Sequence, residues 1–159
     1  MIWTFGGAYS RDWTATFTEE NSIKAGEYLK KHVAEGHIKI VQDGANDFGI
    51  GNGAALLEST GSLGGLKEAA KFDFYTTYLP GPKPGCATGG AGLAIPNGIS
   101  DERKLTAAKF IDFMTNTDNT ITFTQATGYM PVRKDAMDKP EEKKFLDENP
   151  NAMTAIKQL

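Results

Sequence analysis

The sequence has few cysteines and histidines, the residues that form disulfides and bind metals in small domains. One cysteine, Cys86, occurs among 159 residues, so no internal disulfide can form. The chain contains two histidines. Its net charge is −3 and no basic stripe runs along it, so a nucleic-acid partner is not expected. No apolar run approaches the ~20 residues that a membrane-spanning helix needs.

The N-terminus lacks the features of a secretory signal. The stretch "MIWTFGGAYSRDW" has no basic start, no apolar middle and no small-residue cleavage site. We therefore expect the chain as given to be soluble, and any export signal of the native protein to have been removed. A lone cysteine fits a cytosolic protein and equally an exported protein without bridges.

Strand-like and helix-like segments are mixed along the chain, which indicates the α/β class. The sequence pattern predicts helices for residues 19–35, 60–72, 100–116, 140–150 and 151–159. The threonines and the alternation of residues 118–127 favour a strand, whereas the flanking Asp118 and Gly128 favour a short helix, and we expect the helix. Aromatic and β-branched composition predicts strands for residues 37–42, 54–59, 72–80 and 92–96. The glycines of 46–53 are expected to prevent regular structure there. We expect Gly36 to end the first helix, a cap near Thr60 or Ser62 to begin the second, and Ser100 to cap the third.

No set of titratable residues forms a catalytic or metal-binding pattern. His32 lies on a predicted helix face and His37 begins a predicted strand, and no carboxylate or cysteine shares a ligand spacing with them. Cys86 has no base near it in the sequence, so packing as a small hydrophobe is favoured over a nucleophile. The sequence predicts no catalytic residue, no cofactor and no metal site, while carboxylates that meet only in the folded chain stay open.

Three short segments offer neutral donors to a small ligand. Residues 59–62 carry hydroxyls at an expected strand-to-helix junction, where free helix amides bind anions. Residues 88–92 expose backbone without side chains, which permits close approach of a ligand. Tyr129 lies between a helix-ending glycine, Gly128, and a proline, so its phenol is held at a rigid corner. Each segment also has a purely structural explanation: residues 59–62 could only cap a helix, residues 88–92 could be a flexible turn, and Tyr129 could be a packed aromatic.

The order and spacing of these segments resemble the extracytoplasmic substrate-binding proteins of ABC importers. Within the family 1 solute-binding proteins, the glycerol-3-phosphate-binding branch is the nearest. The motifs that carry the resemblance are "FGIGNGAALLESTGSL", "LKEAAKFDF", "ATGGAGLAIPNGISDERKLTAAKFIDFMTN" and "FTQATGYMPVRKDAM". The resemblance runs from about Thr16 to the end of the chain. It implies a class II periplasmic-binding-protein-like α/β fold with two lobes that close on a ligand.

The resemblance also implies which residues bind the ligand. Ser59 matches a serine whose hydroxyl binds the phosphate or glycerol, Gly90 a glycine whose amide does the same, and Tyr129 a hydrogen-bonding tyrosine. Thr60, Thr88 and Gly89 are their neighbours and are expected to contribute. The glycine-rich segment would then form one wall of the cleft, at the crossing between lobes.

The chain departs from the family pattern in length. Family members are more than twice as long, and a family arginine that contacts the phosphate lies beyond this sequence. The chain is therefore expected to be a fragment of the two-lobed fold, with about 3–79 in one lobe and about 89–159 largely in the other. Missing strand partners would expose sheet edges, which predicts self-association or swapping between copies.

The expected function is non-enzymatic solute binding and delivery to a membrane permease. The expected location is the periplasm or, by a lipid anchor, the outer face of the cell membrane. Three alternatives stay open: an oligosaccharide-binding protein on the same scaffold, a hydrolase that uses carboxylates or Cys86, and a fragment that binds nothing.

Overall fold

A computed structural model describes residues 1–158 of the chain. These residues form two compact units. The first unit comprises residues 1–58, 69–88 and the end of the chain from Thr154, and the second comprises residues 59–68 and 89–153. Leu159 lies outside the described residues. It is the last residue of the predicted helix 151–159 and of the predicted second lobe.

A small hairpin near the N-terminus contains the β-structure of residues 1–158. Strands β1 (Ser10–Arg11) and β2 (Thr14–Ala15) pair antiparallel, with Ser10 opposite Ala15 and Arg11 opposite Thr14. The two loop residues, Asp12 and Trp13, have positive φ angles of 47° and 66°. Positive φ at both central positions is the conformation whose twist matches a two-residue hairpin.

The first unit is built around buried hydroxyls as much as apolar side chains. Thr4, in the 3₁₀ turn Trp3–Phe5, is fully buried, and its Oγ1 lies 2.7 Å from the Met1 carbonyl and 2.8 Å from the Pro80 carbonyl. Helix α1 (Glu20–Ala34) buries Ser22 and Ala25. Ser22 Oγ and Thr16 Oγ1 both donate to the Ala8 carbonyl, at 3.1 Å and 2.6 Å. These bonds attach the N-terminal segment to α1.

Helix α2 (Gly44–Gly49) corrects the prediction that residues 46–53 lack regular structure. Asp43 begins the helix, because its Oδ1 accepts a 3.0 Å hydrogen bond from the Asn46 amide. Phe48 then packs edge-on against Phe72 and Phe74, with ring centroids 5.3 Å and 5.8 Å apart. The N-cap and the aromatic contacts outweigh the low helix propensity of the glycines.

The predicted helices are otherwise confirmed, with caps that the sequence encodes locally. The helices that follow α2 are α3 (Leu63–Ala69), α4 (Asp101–Met114), α5 (Thr117–Thr127), α6 (Lys134–Asp138), α7 (Pro140–Glu148) and α8 (Pro150–Gln158). Ser100 caps α4 by accepting from the Arg103 amide at 3.4 Å, and Asn116 caps α5 by accepting from Asn119 at 2.8 Å. Gly128, with φ of 90°, ends α5.

The core of the second unit lies among α3, α5, α6 and α7. Its buried apolar residues are Leu63, Leu66, Ile121, Ala136 and Leu146. A fully buried carboxyl, Glu142, sits beside them, and its Oε2 accepts a 3.0 Å hydrogen bond from Gln125 Nε2. This bond joins α7 to α5.

The predicted strands at 37–42, 54–59, 72–80 and 92–96 are wrong, because within residues 1–158 none of them forms a hydrogen-bonded ladder. Some of their large side chains stay in solvent: Ile40 is 78% exposed and Tyr75 is 87% exposed. A strand satisfies its backbone only through a neighbour, so strand composition alone does not form a sheet.

Helix α4 leaves large apolar side chains in solvent. Phe110 and Met114 are exposed, and α4 contains no buried residue among those described. No helix of residues 1–158 combines the length and apolarity needed to cross a membrane.

The segment between α5 and α6 is fixed by a three-residue polar cluster. Arg133 donates from Nε and Nη2 to the two carboxylate oxygens of Asp135, both at 2.8 Å, and Thr117 Oγ1 donates to Asp135 Oδ2 at 2.9 Å. The hydrogen bonds from Arg133 and then from Thr117 hold the pKa of Asp135 well below its ordinary value. The cluster attaches the start of α6 to the start of α5.

We expect Asp135→Asn to lower the urea midpoint of unfolding at pH 7, measured by circular dichroism. Because the folded chain depresses the pKa of Asp135, the carboxylate stabilises the fold above its ordinary pKa of 3.8 and loses this effect as the pH falls. The gap between wild type and variant should therefore narrow at pH 3. Asp147→Asn, at an exposed carboxylate of α7, is the control. An equal gap at both pH values would contradict the prediction.

Candidate functional site

Ser59 and Thr60 lie where an extended segment turns into α3. Ser59 has extended backbone angles and is followed by the 3₁₀ turn Thr60–Ser62, which leads directly into the helix. Ser59 Oγ accepts a hydrogen bond from the Gly61 amide at 3.3 Å, so Ser59 is the N-cap of the turn, next to the expected position near Thr60. Both Ser59 and Thr60 are exposed at this junction.

Tyr129 lies directly against the turn that Ser59 caps. A Cβ atom built on Gly61 would be 2.5 Å from Cζ of Tyr129 and 2.8 Å from its hydroxyl oxygen. The tyrosine ring therefore occupies the space that any side chain at position 61 would need. The structure thus brings the serine junction and the tyrosine together, although they are far apart in the sequence.

The Tyr129 ring is held by its own segment as well. Its backbone amide donates to Thr127 Oγ1 at 3.1 Å, and its ring stacks on Phe123 with centroids 5.8 Å apart and planes inclined by 7°. The side chain remains 42% exposed. A fixed ring with solvent access can offer its face and its hydroxyl to a solute.

Two further glycines allow the backbones of these segments to approach. A Cβ on Gly128 would lie 2.6 Å from Leu63 Cβ and 2.7 Å from the Thr60 carbonyl oxygen. A Cβ on Gly64 would collide with the Ala126 carbonyl oxygen. No role was expected for the side-chain-free positions Gly61 and Gly64, although a glycine within a predicted helix disfavours that helix and so indicates a close contact.

The glycine-rich segment shows no comparable contact. Gly89 and Gly90 are exposed, and nothing within the described chain comes within 4 Å of a Cβ built on either residue. They belong to the second unit, as do Ser59 and Tyr129, whereas Thr88 ends a segment of the first unit. The assignment of Thr88, Gly89 and Gly90 to the site stays a prediction.

A cavity of about 170 Å³ in the second unit shares part of its wall with this site. Its shared residues are Leu63, Gly64 and Gly128. On its other side Lys67 donates from Nζ to Asn149 Oδ1, and Gln125 contributes a side-chain amide. The lining of the cavity is more apolar than polar, and its charged side chains are Lys67 and Glu148.

Comparison with known proteins gives one consistent result. Residues 1–154 match the family described as bacterial extracellular solute-binding protein. The sn-glycerol-3-phosphate-binding periplasmic protein UgpB of Escherichia coli K12 is 30% identical over 152 residues, which cover 90% of this chain and 35% of the relative. The Shigella flexneri protein of the same name gives the same values.

A solved structure extends the comparison to the fold. UgpB from Mycobacterium tuberculosis, in complex with glycerophosphocholine, is 49% identical and superposes with a TM-score of 0.90. The superposition covers 99% of this chain and 41% of that one. The fold is thus that of an α/β solute-binding protein, and the chain spans about a third of the length of the curated relatives.

We expect Gly61→Ala to lower the free energy of unfolding by about 1–3 kcal/mol, because the new methyl group must displace the Tyr129 ring. Urea unfolding followed by circular dichroism measures the change. Gly65→Ala is the matched control: it lies in α3, which directly follows the turn that contains Gly61, and a Cβ there meets no atom of the described chain within 4 Å. The control should leave stability unchanged or raise it by about 0.5–1 kcal/mol through helix propensity. Equal effects of the two substitutions would contradict the contact between Gly61 and Tyr129.

Proposed function

Because this chain belongs to the bacterial extracellular solute-binding protein family, we propose that it is part of the substrate-binding component of an ABC importer. The proposed ligand is glycerol-3-phosphate or a glycerophosphodiester. The observation that carries the proposal is the likeness, at 49% identity over 99% of this chain, to a protein solved with glycerophosphocholine. The names of the Escherichia coli and Shigella relatives point to the same class of ligand.

The proposed mechanism is recognition by neutral donors at a helix junction. Ser59 and Thr60 offer hydroxyls, and the Tyr129 hydroxyl lies against Gly61 beside them. A phosphate accepts hydrogen bonds from hydroxyls and from free amides at the start of a helix. Gly90, with Thr88 and Gly89, would add backbone amides from the glycine-rich segment. A net charge of −3 agrees with an anion site that does not depend on a basic surface.

We propose that most of the predicted segment at about 3–79 belongs to one lobe of the closing fold and that about 89–159 belongs largely to the other. Residues 59–68 belong to the same compact unit as residues 89–153, so we place them with the second lobe. Closure around the solute would precede docking on the membrane permease. The proposed location is extracytoplasmic, in the periplasm or anchored by lipid at the outer face of the membrane. The family and the relatives are named for solute binding, which supports binding without turnover rather than a hydrolase that uses Cys86.

Calorimetric titration of the chain with sn-glycerol-3-phosphate, glycerophosphocholine and maltose tests the ligand. We expect heat from one or both phosphate compounds and none from maltose. Tyr129→Phe should weaken the binding roughly 3- to 10-fold, the usual loss for one hydrogen bond. Tyr75→Phe, at an exposed tyrosine of the first unit, is the control and should bind as wild type does. Heat with maltose alone would support the oligosaccharide alternative, and silence with all three would contradict solute binding by this chain.

We propose further that the strand-like segments that form no β-ladder within residues 1–158 pair with a second copy of the chain. Side chains of these segments, including Ile40 and Tyr75, are exposed. The backbone of the segments forms no β-ladder within residues 1–158. Open strand edges of this kind favour intermolecular pairing.

Sedimentation velocity over a concentration series should therefore show dimers or larger species. Tyr75→Lys should shift the distribution towards monomer, because an edge lysine opposes strand pairing. A compact monomer at every concentration would overturn the proposal of self-association and would leave the ligand proposal to its own test.

A further inference from the structure

The C-terminus of α1 ends in a Schellman motif that brings two histidines together. Gly36 has a φ of 74°, and its amide donates to the Val33 carbonyl at 3.1 Å. The His37 amide donates to the His32 carbonyl at 2.9 Å. These two bonds define the motif, in which the residue after the glycine packs on the residue five positions before it. That pair is usually apolar, and here both members are imidazoles.

The ligand atoms of three side chains converge at this helix end. His32 Nδ1 and His37 Nδ1 are 3.2 Å apart. Glu35 Oε2 lies 3.4 Å from His37 Nδ1 and 3.8 Å from His32 Nδ1. A tetrahedral ion with bonds of about 2.0–2.1 Å separates its ligand atoms by about 3.3–3.4 Å. The triangle formed by the three atoms is therefore close to one face of such a tetrahedron.

We propose that His32, Glu35 and His37 form a three-ligand site for a late first-row divalent cation, with Zn²⁺ as the reference ion. Two imidazoles and one carboxylate are a donor set that Zn²⁺ accepts, and imidazole favours Zn²⁺, Cu²⁺ and Ni²⁺ over Mg²⁺ or Ca²⁺. Three protein ligands leave a fourth position for water. The proposal departs from the sequence prediction of no metal site, which took Glu35 as a helix-end residue and His37 as the start of a strand.

The surroundings of the site hold two of its ligands in orientation. The His32 ring packs edge-on against Tyr28, with centroids 4.4 Å apart, and only 27% of its side chain is exposed. Lys31 Nζ lies 4.0 Å from the other Glu35 oxygen, Oε1, which leaves Oε2 towards the histidines. The same lysine adds a positive charge that weakens the attraction for a cation, so we expect moderate rather than tight affinity.

A hydrogen bond between the two rings is the alternative explanation of the shortest distance. It would need a proton on one Nδ1, and the carboxylate would then serve as a neighbouring charge. This explanation requires no ion, whereas the proposed site requires all three side chains and the turn that aligns them. Metal binding by the chain and its variants therefore separates the two explanations.

The test is calorimetric titration of the full chain with ZnCl₂ in a buffer free of chelators, together with the visible absorption of added Co²⁺. We expect one Zn²⁺ per chain and the absorption bands of a tetrahedral Co²⁺ complex. His37→Ala, at an exposed position, should abolish both signals while circular dichroism shows an unchanged fold. Gly36→Ala keeps all three ligands but strains the turn, and should weaken Zn²⁺ binding about 10-fold, as loss of ligand orientation does.

Glu27→Gln, at an exposed carboxylate of the same helix, is the matched control and should bind Zn²⁺ as wild type does. An absence of Zn²⁺ heat and Co²⁺ bands in wild type would overturn the proposal and leave a hydrogen-bonded cluster. Wild-type binding by His37→Ala would overturn it as well. The proposal does not rest on solute binding, because its residues lie in the first unit and the Ser59–Tyr129 contact lies in the second.

Discussion

The close contact between the serine junction and the tyrosine turn is the constraint on which the candidate site depends. At Gly61, Gly64 and Gly128 the chain has no Cβ, and at each position a Cβ would collide with the opposing segment. The missing side chains let the backbone at the start of α3 lie against the end of α5. The Tyr129 ring then fills the space above Gly61. A larger residue at any of the three positions would separate the segments and move the phenol away from Ser59.

Most of the helical part of the fold could be predicted, because its signals are local. Ser100 and its capping bond to Arg103 lie within one helical turn, and Gly128 ends α5 with the left-handed conformation that glycine adopts without strain. Gly36 ends α1 in the same way. Helix α2 was missed for an equally local reason: its capping residue, Asp43, lies just before the glycine-rich stretch that suggested a loop.

The site could be predicted only in part, because its decisive contact is not local. The resemblance to solute-binding proteins indicated that Ser59 and Tyr129 act together. It did not indicate that the Tyr129 ring packs on Gly61 in the turn that Ser59 caps. No sequence periodicity relates Gly61, which lies just before α3, to Tyr129, which lies just after α5. The glycines inside α3 were the available signal, since a helix accepts glycine at a cost when close packing compensates. Glu35 and the two histidines were missed similarly, because a Schellman motif rather than a linear spacing brings them together.

The difference between helices and strands explains how far the candidate site is organised in this chain. A helix satisfies its backbone within itself, so the donors carried by helix ends, Ser59 before α3 and Tyr129 after α5, are held by their own elements and by each other. A strand satisfies its backbone only through another strand, and the strand-like segments of residues 1–158 form no such ladder. The glycine-rich segment likewise forms no helix, and Gly89 and Gly90 lie exposed. Among the described residues, no atom lies within 4 Å of a Cβ built on either glycine. The hydroxyl side of the candidate site is therefore built by local and helical contacts, whereas the glycine-rich segment, which we propose as its amide side, makes no comparable contact with the described residues.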